Sequence, residues 1–520
     1  MAGVSEKQAQ SPSRAQPAGE EFREFVASGW APRRSSAPPL SEAARSAAPR
    51  RQALSQAFPG ERLVVPAGGL KVRSNDCDYV FRPHSAFAYL TGLGADREPD
   101  AVLVLEPSAD GGHEAVLFFR PLAGRETEEF FGDSRYGEFW VGARPSLADV
   151  ESELGLTARH IDDFTDAVSK DAGSTPVRLV RDADRDLTGS LDDVRRSSAQ
   201  ADRDHGRDRL QDQDQDQDHE AAFVEADEEL AHHLSLARMV KDEWEIDQMR
   251  RAVSATAVGF EAVVASLPDA VAHGHGERWV EGVFGLHARH QGNGVGYDSI
   301  CAGGDHANTL HWVKNTGELR ADELLLLDAG VEVDSLFTAD VTRTLPVGGL
   351  FTDAQRRVYD AVYAAQSAGI AAVRPGARFS DVHAAAIRVI AEHLYDWGLL
   401  PDGVDVEATL DKEHGLYHRR WMVHGTSHHL GLDVHDCALA RREEYSEALL
   451  EPGMVLTVEP GLYFKADDLL VPSELRGIGV RIEDDVVVTA DGCENLSDLL
   501  PRSSADVEAW IARVQSAPTS

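Results

Sequence analysis

LLLLDAGVEVDSLFTADVTRTLPV, residues 324–347, is the stretch on which the reading of this chain turns. The leucine run 324–327 marks a buried strand that leads directly into Asp328, and TADVTRTLPV (338–347) alternates like a second strand. The polar VDS between them, 333–335, is turn material, and Asp328 and Asp340 lie equally far from Asp334. A hairpin centred there places the two aspartates opposite each other, with Cβ atoms about 5 Å apart. Directly opposed like charges destabilise a strand pair, so the arrangement calls for a cation between them. Two solvent-facing aspartates beside a turn are the plainer reading; the apolar run leading into Asp328 speaks against it.

Further segments add to this centre. Glu459 follows VLTV and precedes Pro460-Gly461, at the end of another buried strand. Arg481 and Glu483, two apart in GIGVRIEDD (477–485), project from one strand face. HGTSHHLGLDVHD (424–436) carries His424, His428, His429 and His435. The spacing of His424 and His428 is that of a helical zinc pair, but HGTSH lacks the glutamate of HExxH, which argues against a zincin. Histidines beside a carboxylate-rich centre suggest one ligand and several catalytic or substrate-binding groups, with His429 structural. Asp328, Asp340, Glu459 and Glu483 would repel one another if buried together, and two divalent ions would balance their charge. An oxygen-dominated set with one imidazole, His428, suits Mn2+, with Co2+ or Zn2+ as substitutes. Bridging carboxylates hold two such ions about 3.5–4 Å apart around a shared hydroxide able to attack a carbonyl. The centre reads as that of a two-metal hydrolase.

The rest of the chain sets the frame. Lys and Arg total 51 against 88 Asp and Glu, a net charge of -37, so a nucleic-acid or anionic-membrane surface would be repelled. Cys77, Cys301, Cys437 and Cys493 are scattered without a CxxC pair and read as reduced. No apolar h-region opens the chain and no apolar run approaches membrane-spanning length, so a cytoplasmic location is expected. Residues 1–45, rich in Ala, Ser, Pro and Arg, are expected to form a mobile tail with a short helix over 21–30. Residues 46–195 mix strand-like runs (RLVVPAG, DAVLVLEP, EAVLFFRP) with helical segments, a mixed α/β domain. Residues 196–225, which contain QDQDQDQDHE, read as a disordered, low-complexity acidic linker.

Residues 226–505 alternate helices with strand pairs, an α+β domain. One helix runs through KDEWEIDQMRRAVSATAVGFEAVV, and a second starts at a Thr352/Gln355 capping box and stops at Arg374-Pro375-Gly376. A third runs from Ser380 to a stop at Trp397-Gly398, and 506–520 is left as a C-terminal tail.

Taken in order, NTLHWVKN (308–315), LLLLDAG, TADVTRTLPV, HGTSHHLGLDVHD, VLTVEPGLY and GVRIEDD resemble the motifs of the pita-bread metallopeptidases, and among them those of the Xaa-Pro aminopeptidase (aminopeptidase P) family. The resemblance covers nearly all of 60–500 apart from the linker. It implies a creatinase-like α/β amino-terminal domain and an α+β pita-bread catalytic domain with two halves related by pseudo-twofold symmetry. It also implies two Mn2+ per subunit. Asp328 would bind one ion, Asp340 and Glu483 would bridge both, and His428 and Glu459 would complete the other. Glu459 would also shuttle the proton, while His435 and His311 would contact the scissile carbonyl and stabilise its oxyanion. His424 and Arg481 would line the proline side of the pocket, with Tyr463 a further candidate close to the metals.

The implied reaction removes the amino-terminal residue from peptides whose second residue is proline, by attack of a metal-bridging hydroxide. Prolidase, which cleaves only Xaa-Pro dipeptides, is the nearest alternative; Ser427, where prolidases often have glycine, favours the aminopeptidase. A catalytically silent pita-bread module that binds peptides or proteins is another alternative, although such relatives usually lose ligands that this chain keeps. Relatives are commonly dimers or tetramers, so a homo-oligomer is expected. Asp328 and Asp340 are twelve apart, one more than in most relatives, which implies a one-residue insertion or bulge in the hairpin.

Overall fold

Apolar runs in the first part of the chain assemble a mixed five-stranded sheet in the order Thr157–His160, His113–Phe119, Val102–Pro107, Arg62–Pro66 and Val177–Leu179. This and all that follows is seen in a computed structural model, which describes residues 19–33, 37–205 and 212–516. The three central strands pair antiparallel, and the outer two join in parallel. Val64, Val104, Val116, Phe118 and Phe164 form part of the core on this sheet. The chain divides into two units, Met1–Leu234 and Ser235–Ser520.

Three expectations about the ends and the connection change. The short helix within the amino-terminal segment is present as Glu20–Ala27, and a second helix, Glu42–Ala57, already begins inside the stretch read as a tail; residues 1–18 lie outside the described residues. The stretch read as a disordered linker is helical where it is described, as Arg185–His205 and Asp212–Ala237, with 206–211 outside the described residues. Asp227 explains how so polar a helix is held. Its fully buried carboxylate accepts from the Leu179 N–H at 2.7 Å and pairs with Arg181 and Arg195, each at 2.8 Å. These satisfied charges act together with Leu230 and Leu234, which are buried on the same helix. The supposed C-terminal tail is a helix, Ser504–Ser516, with Val507, Trp510 and Ile511 buried; 517–520 lie outside the described residues.

In the second unit a helix pair precedes a strand assembly, twice. Glu243–His273, opened by an Asp242/Glu245 capping box, buries Ile246, Met249, Val253, Phe260 and Val263. By length and composition this helix could cross a membrane, but that face belongs to the core. Gly276–Gln291 packs with it. Strand Leu324–Ala329 then lies between Ile300–Gly303 and Val341–Pro346. The second helix pair is Asp353–Ala372, with the Thr352/Gln355 box in place, and Phe379–Asp396. Its strands are Val455–Val458 against Asp484–Val488, and Gly461–Phe464 against Ile478–Arg481. A bridge between Thr342 and Glu483 joins the two halves.

The hairpin at 324–347 forms, but its centre is Ser335 rather than Asp334. Asp328 pairs with Thr342 and Ala329 with Val341. The Val333 N–H donates to the Phe337 carbonyl at 3.0 Å, and Leu336 adopts the left-handed region at φ 73. A three-residue turn of this kind shifts the pairing relative to a symmetric guess from the sequence. The two aspartates are therefore not directly opposed. Asp340 stands two residues from the partner of Asp328, which keeps both side chains on one face as a diagonal pair. Gly330 is required beside them, since an added Cβ would overlap the Ala339 carbonyl oxygen.

Candidate metal centre

Four backbone junctions carry the acidic and imidazole groups to one point. Asp328 ends a leucine strand, Asp340 immediately precedes Val341–Pro346, Glu459 immediately follows Val455–Val458, and Glu483 sits between Ile478–Arg481 and Asp484–Val488. His428 is drawn in by its neighbours: its N–H donates to the Thr457 hydroxyl, and the Thr457 N–H donates back to the His428 carbonyl. Asp340, His428 and Glu483 bring one ligand atom each to within 4.8 Å of one another. His428 Nε2 lies 3.3 Å from Asp340 and 3.8 Å from Glu459. Asp328 joins through Tyr297, whose hydroxyl bonds both Asp328 (2.7 Å) and Asp340 (2.5 Å). All five residues predicted as ligands thus converge.

The electrostatics of the polypeptide alone are those of a cation site. Burial, reinforced by repulsion from Asp340 and Glu459, raises Glu483 well above the ordinary carboxyl range. Burial also raises Asp328, against the pull of Arg481, and pushes Glu459 up to about 7 against His428 and Arg481. For His428, burial opposes the charge, but the Asp340 and Glu459 carboxylates outweigh it and hold the imidazole at about 9. Excess carboxylate in a dry pocket holds protons where no other cation neutralises it. Oxygen donors with a single imidazole, and no thiol in the cluster, match a hard or borderline divalent ion. His428 Nδ1 lies 3.1 Å from the His429 carbonyl, which leaves Nε2 facing the carboxylates.

The predicted substrate-side residues line the same centre. Arg481 is buried; it donates to Asp328 at 2.5 Å, to the Thr342 hydroxyl at 3.2 Å and to the Tyr463 hydroxyl at 3.1 Å. Thr342 in turn donates to Glu483 at 2.6 Å, so Arg481 and Glu483 do share a face. His424 Nε2 lies 2.7 Å from the Tyr463 hydroxyl, and its Nδ1 3.6 Å from Glu459. Burial, with Arg481 nearby, lowers His424 to about 3. His435 sets its ring edge-on to His428 at 4.6 Å and is lowered by burial and by the charge of His428. His311 sits exposed in the turn after 304–308, near enough to bear on the charge of His424 and His435. His429 is packed between Phe379 and Tyr445.

Two residues here had no sequence signal that singled them out. Tyr297 is a lone tyrosine in GVGYDSI, and only the fold brings its hydroxyl between two aspartates distant in sequence. Asp485, fully buried, accepts the Asp340 N–H at 3.1 Å and so orients a ligand from behind.

Known proteins match this sequence and fold. Residues 47–179 match the aminopeptidase P N-terminal domain, and residues 247–490 match metallopeptidase family M24. Xaa-Pro aminopeptidase 1 of Streptomyces coelicolor is 50% identical over 497 residues, covering 95% of this chain and 93% of its own. Among solved structures, Pseudomonas aeruginosa aminopeptidase PepP superposes with a TM-score of 0.75 at 30% identity, over 91% of this chain and 99% of that one. A zinc-substituted Escherichia coli aminopeptidase P in complex with product gives 0.76 at 28% identity, over 92% and 100%. The chain belongs to metallopeptidase family M24, with the two-domain organisation of aminopeptidase P.

Proposed function

We propose that this protein is an Xaa-Pro aminopeptidase, a metallo-exopeptidase that hydrolyses the bond between an amino-terminal residue and a following proline. The observation that carries the reading is the convergence of Asp328, Asp340, His428, Glu459 and Glu483 on one buried point. These five would hold two Mn2+, with Co2+ or Zn2+ able to substitute, since two divalent charges balance four carboxylates. When bound, such a pair supplies Lewis acidity at the scissile carbonyl and an acidified water as nucleophile.

The chain's own groups supply the rest. Glu459, beside His428 and His424, would take up and return the proton that delivery to the proline nitrogen requires. His435 is held below its ordinary value, so it offers a neutral N–H to the developing oxyanion, and His311 is the second donor. His424, Tyr463 and Arg481 form a hydrogen-bonded wall on the proline side. That wall must recognise a tertiary amide whose ring fixes φ and which carries no N–H.

A cytoplasmic homo-oligomer, dimer or tetramer, completes the reading. The described cysteines are free, which suits a reducing compartment. Phe139 and Trp140, each more than half exposed in the amino-terminal unit, offer apolar area that a second copy would cover. The test is Mn2+-dependent release of the first residue from Xaa-Pro-Yaa tripeptides and longer peptides, beside Xaa-Pro dipeptides. Cleavage of the longer substrates is expected; cleavage confined to dipeptides would make the enzyme a prolidase instead.

A further inference from the structure

Glu277, the second residue of helix Gly276–Gln291, has no solvent exposure, yet it touches none of the ligands described above. Its Oε1 accepts from the Gly303 N–H at 2.8 Å and lies 2.7 Å from His306 Nδ1. Its Oε2 accepts from Trp312 Nε1 at 2.8 Å and from the Gly317 N–H at 2.5 Å. Since an ionised carboxylate only accepts, His306 must carry its proton on Nδ1 here, and each oxygen then takes two donors. The His306 and Trp312 rings stack with centroids 3.9 Å apart. An added Cβ at Gly317 would come within 2.7 Å of the Glu277 carboxyl carbon, so glycine permits this close approach.

Asn315, also fully buried and in the left-handed region at φ 46, clamps the same loop. Its side chain accepts from the Cys301 N–H at 3.0 Å and donates to the Ser299 carbonyl at 2.9 Å. The loop so tied, 303–317, carries His311 between His306 and Trp312. Glu277 lies in the first turn of its helix, where the helix dipole favours a carboxylate.

We infer that Glu277 is a positioning residue for His311: it holds the loop so that the imidazole meets the scissile carbonyl. The inference rests on the oxyanion role given to His311 above. Glu277→Gln keeps the volume but turns an acceptor oxygen into an NH2 that faces two N–H donors. The loop should loosen, and kcat should fall by roughly tenfold to a hundredfold, while bound metal per chain stays at the wild-type level. Trp312→Phe keeps the stack, removes one donor and should give a smaller loss in the same direction; it also serves if Glu277→Gln fails to fold.

A double-mutant cycle with His311→Ala separates positioning from mere fold support. Either change should cost little or nothing further once His311 is gone, because the group it positions is absent. Losses that multiply in the His311→Ala background, or full activity of both single variants, would overturn the inference. Wild-type activity of His311→Ala itself would overturn the role of His311, and the positioning inference with it.

Discussion

His428 Nε2 lies 3.3 Å from Asp340 and 3.8 Å from Glu459, so an imidazolium stands among the carboxylates of the metal site when no metal neutralises them. This predicts how the metal-stripped protein responds to pH. Glu459 is raised from 4.5 to about 7, and His428 from 6.5 to about 9. A group whose folded pKa lies above its unfolded one contributes stability at low pH and loses it as pH rises through the folded value. Both groups act in the same sense, while His424 and His429, each lowered to about 3, and His418, lowered to about 4, oppose them only below about pH 6.5, so chelator-treated protein should lose stability between about pH 7 and about pH 9. Metal-loaded protein should show a shallower slope, because the cation replaces the protons. Denaturant midpoints measured with and without metal across that range check this. Stability of the stripped protein that rises with pH would contradict it.

Asp340 meets His428, Tyr297 and the Asp485-bound backbone at once. Asp340→Ala should abolish both metal binding and turnover. Metal content by elemental analysis and release of the first residue from an Xaa-Pro-Yaa peptide are the readouts. Full activity of the metal-depleted variant would rule out the assigned chemistry.

Arg481 is the buried counter-charge of Asp328. Removing one partner of a buried ion pair leaves the other charge unsatisfied, so Arg481→Met should destabilise the metal-free protein by roughly 3 kcal/mol. Added metal should recover part of this by supplying Asp328 with a new cation. KM should rise as well, because the Tyr463 hydroxyl loses its guanidinium donor. Equal stability of variant and wild type without metal would show that the pair contributes nothing.

The Tyr297 hydroxyl lies 2.7 Å from Asp328 and 2.5 Å from Asp340 and has one proton to share between them; burial together with those charges raises its phenol well above the ordinary value, so that proton is kept. Tyr297→Phe should weaken metal affinity by about tenfold, in the range usual for outer-shell partners of metal ligands, and leave kcat at saturating metal little changed. Titration against a competing chelator would detect the shift. An unchanged affinity would remove Tyr297 from the metal site.

Read without coordinates, the chain already singled out the four carboxylates and one imidazole that the fold brings together, the helix opened by Thr352 and Gln355, and the α/β followed by α+β order. These depend on local composition and period, which survive in a linear string: a leucine run ending in Asp328, or two residues of one strand face such as Arg481 and Glu483. What needed the fold was every relation between distant segments. The register that sets Thr342, and not Asp340, opposite Asp328 depends on a left-handed Leu336 in the turn. The helix at 212–237 depends on Asp227 finding Arg181 and Arg195. Tyr297 between two aspartates, and Glu277 beneath the His311 loop, are buried polar groups that hold only because their partners arrive from elsewhere in the chain. A buried donor or acceptor must be satisfied, but its sequence neighbours do not say by what; only tertiary packing decides the partner.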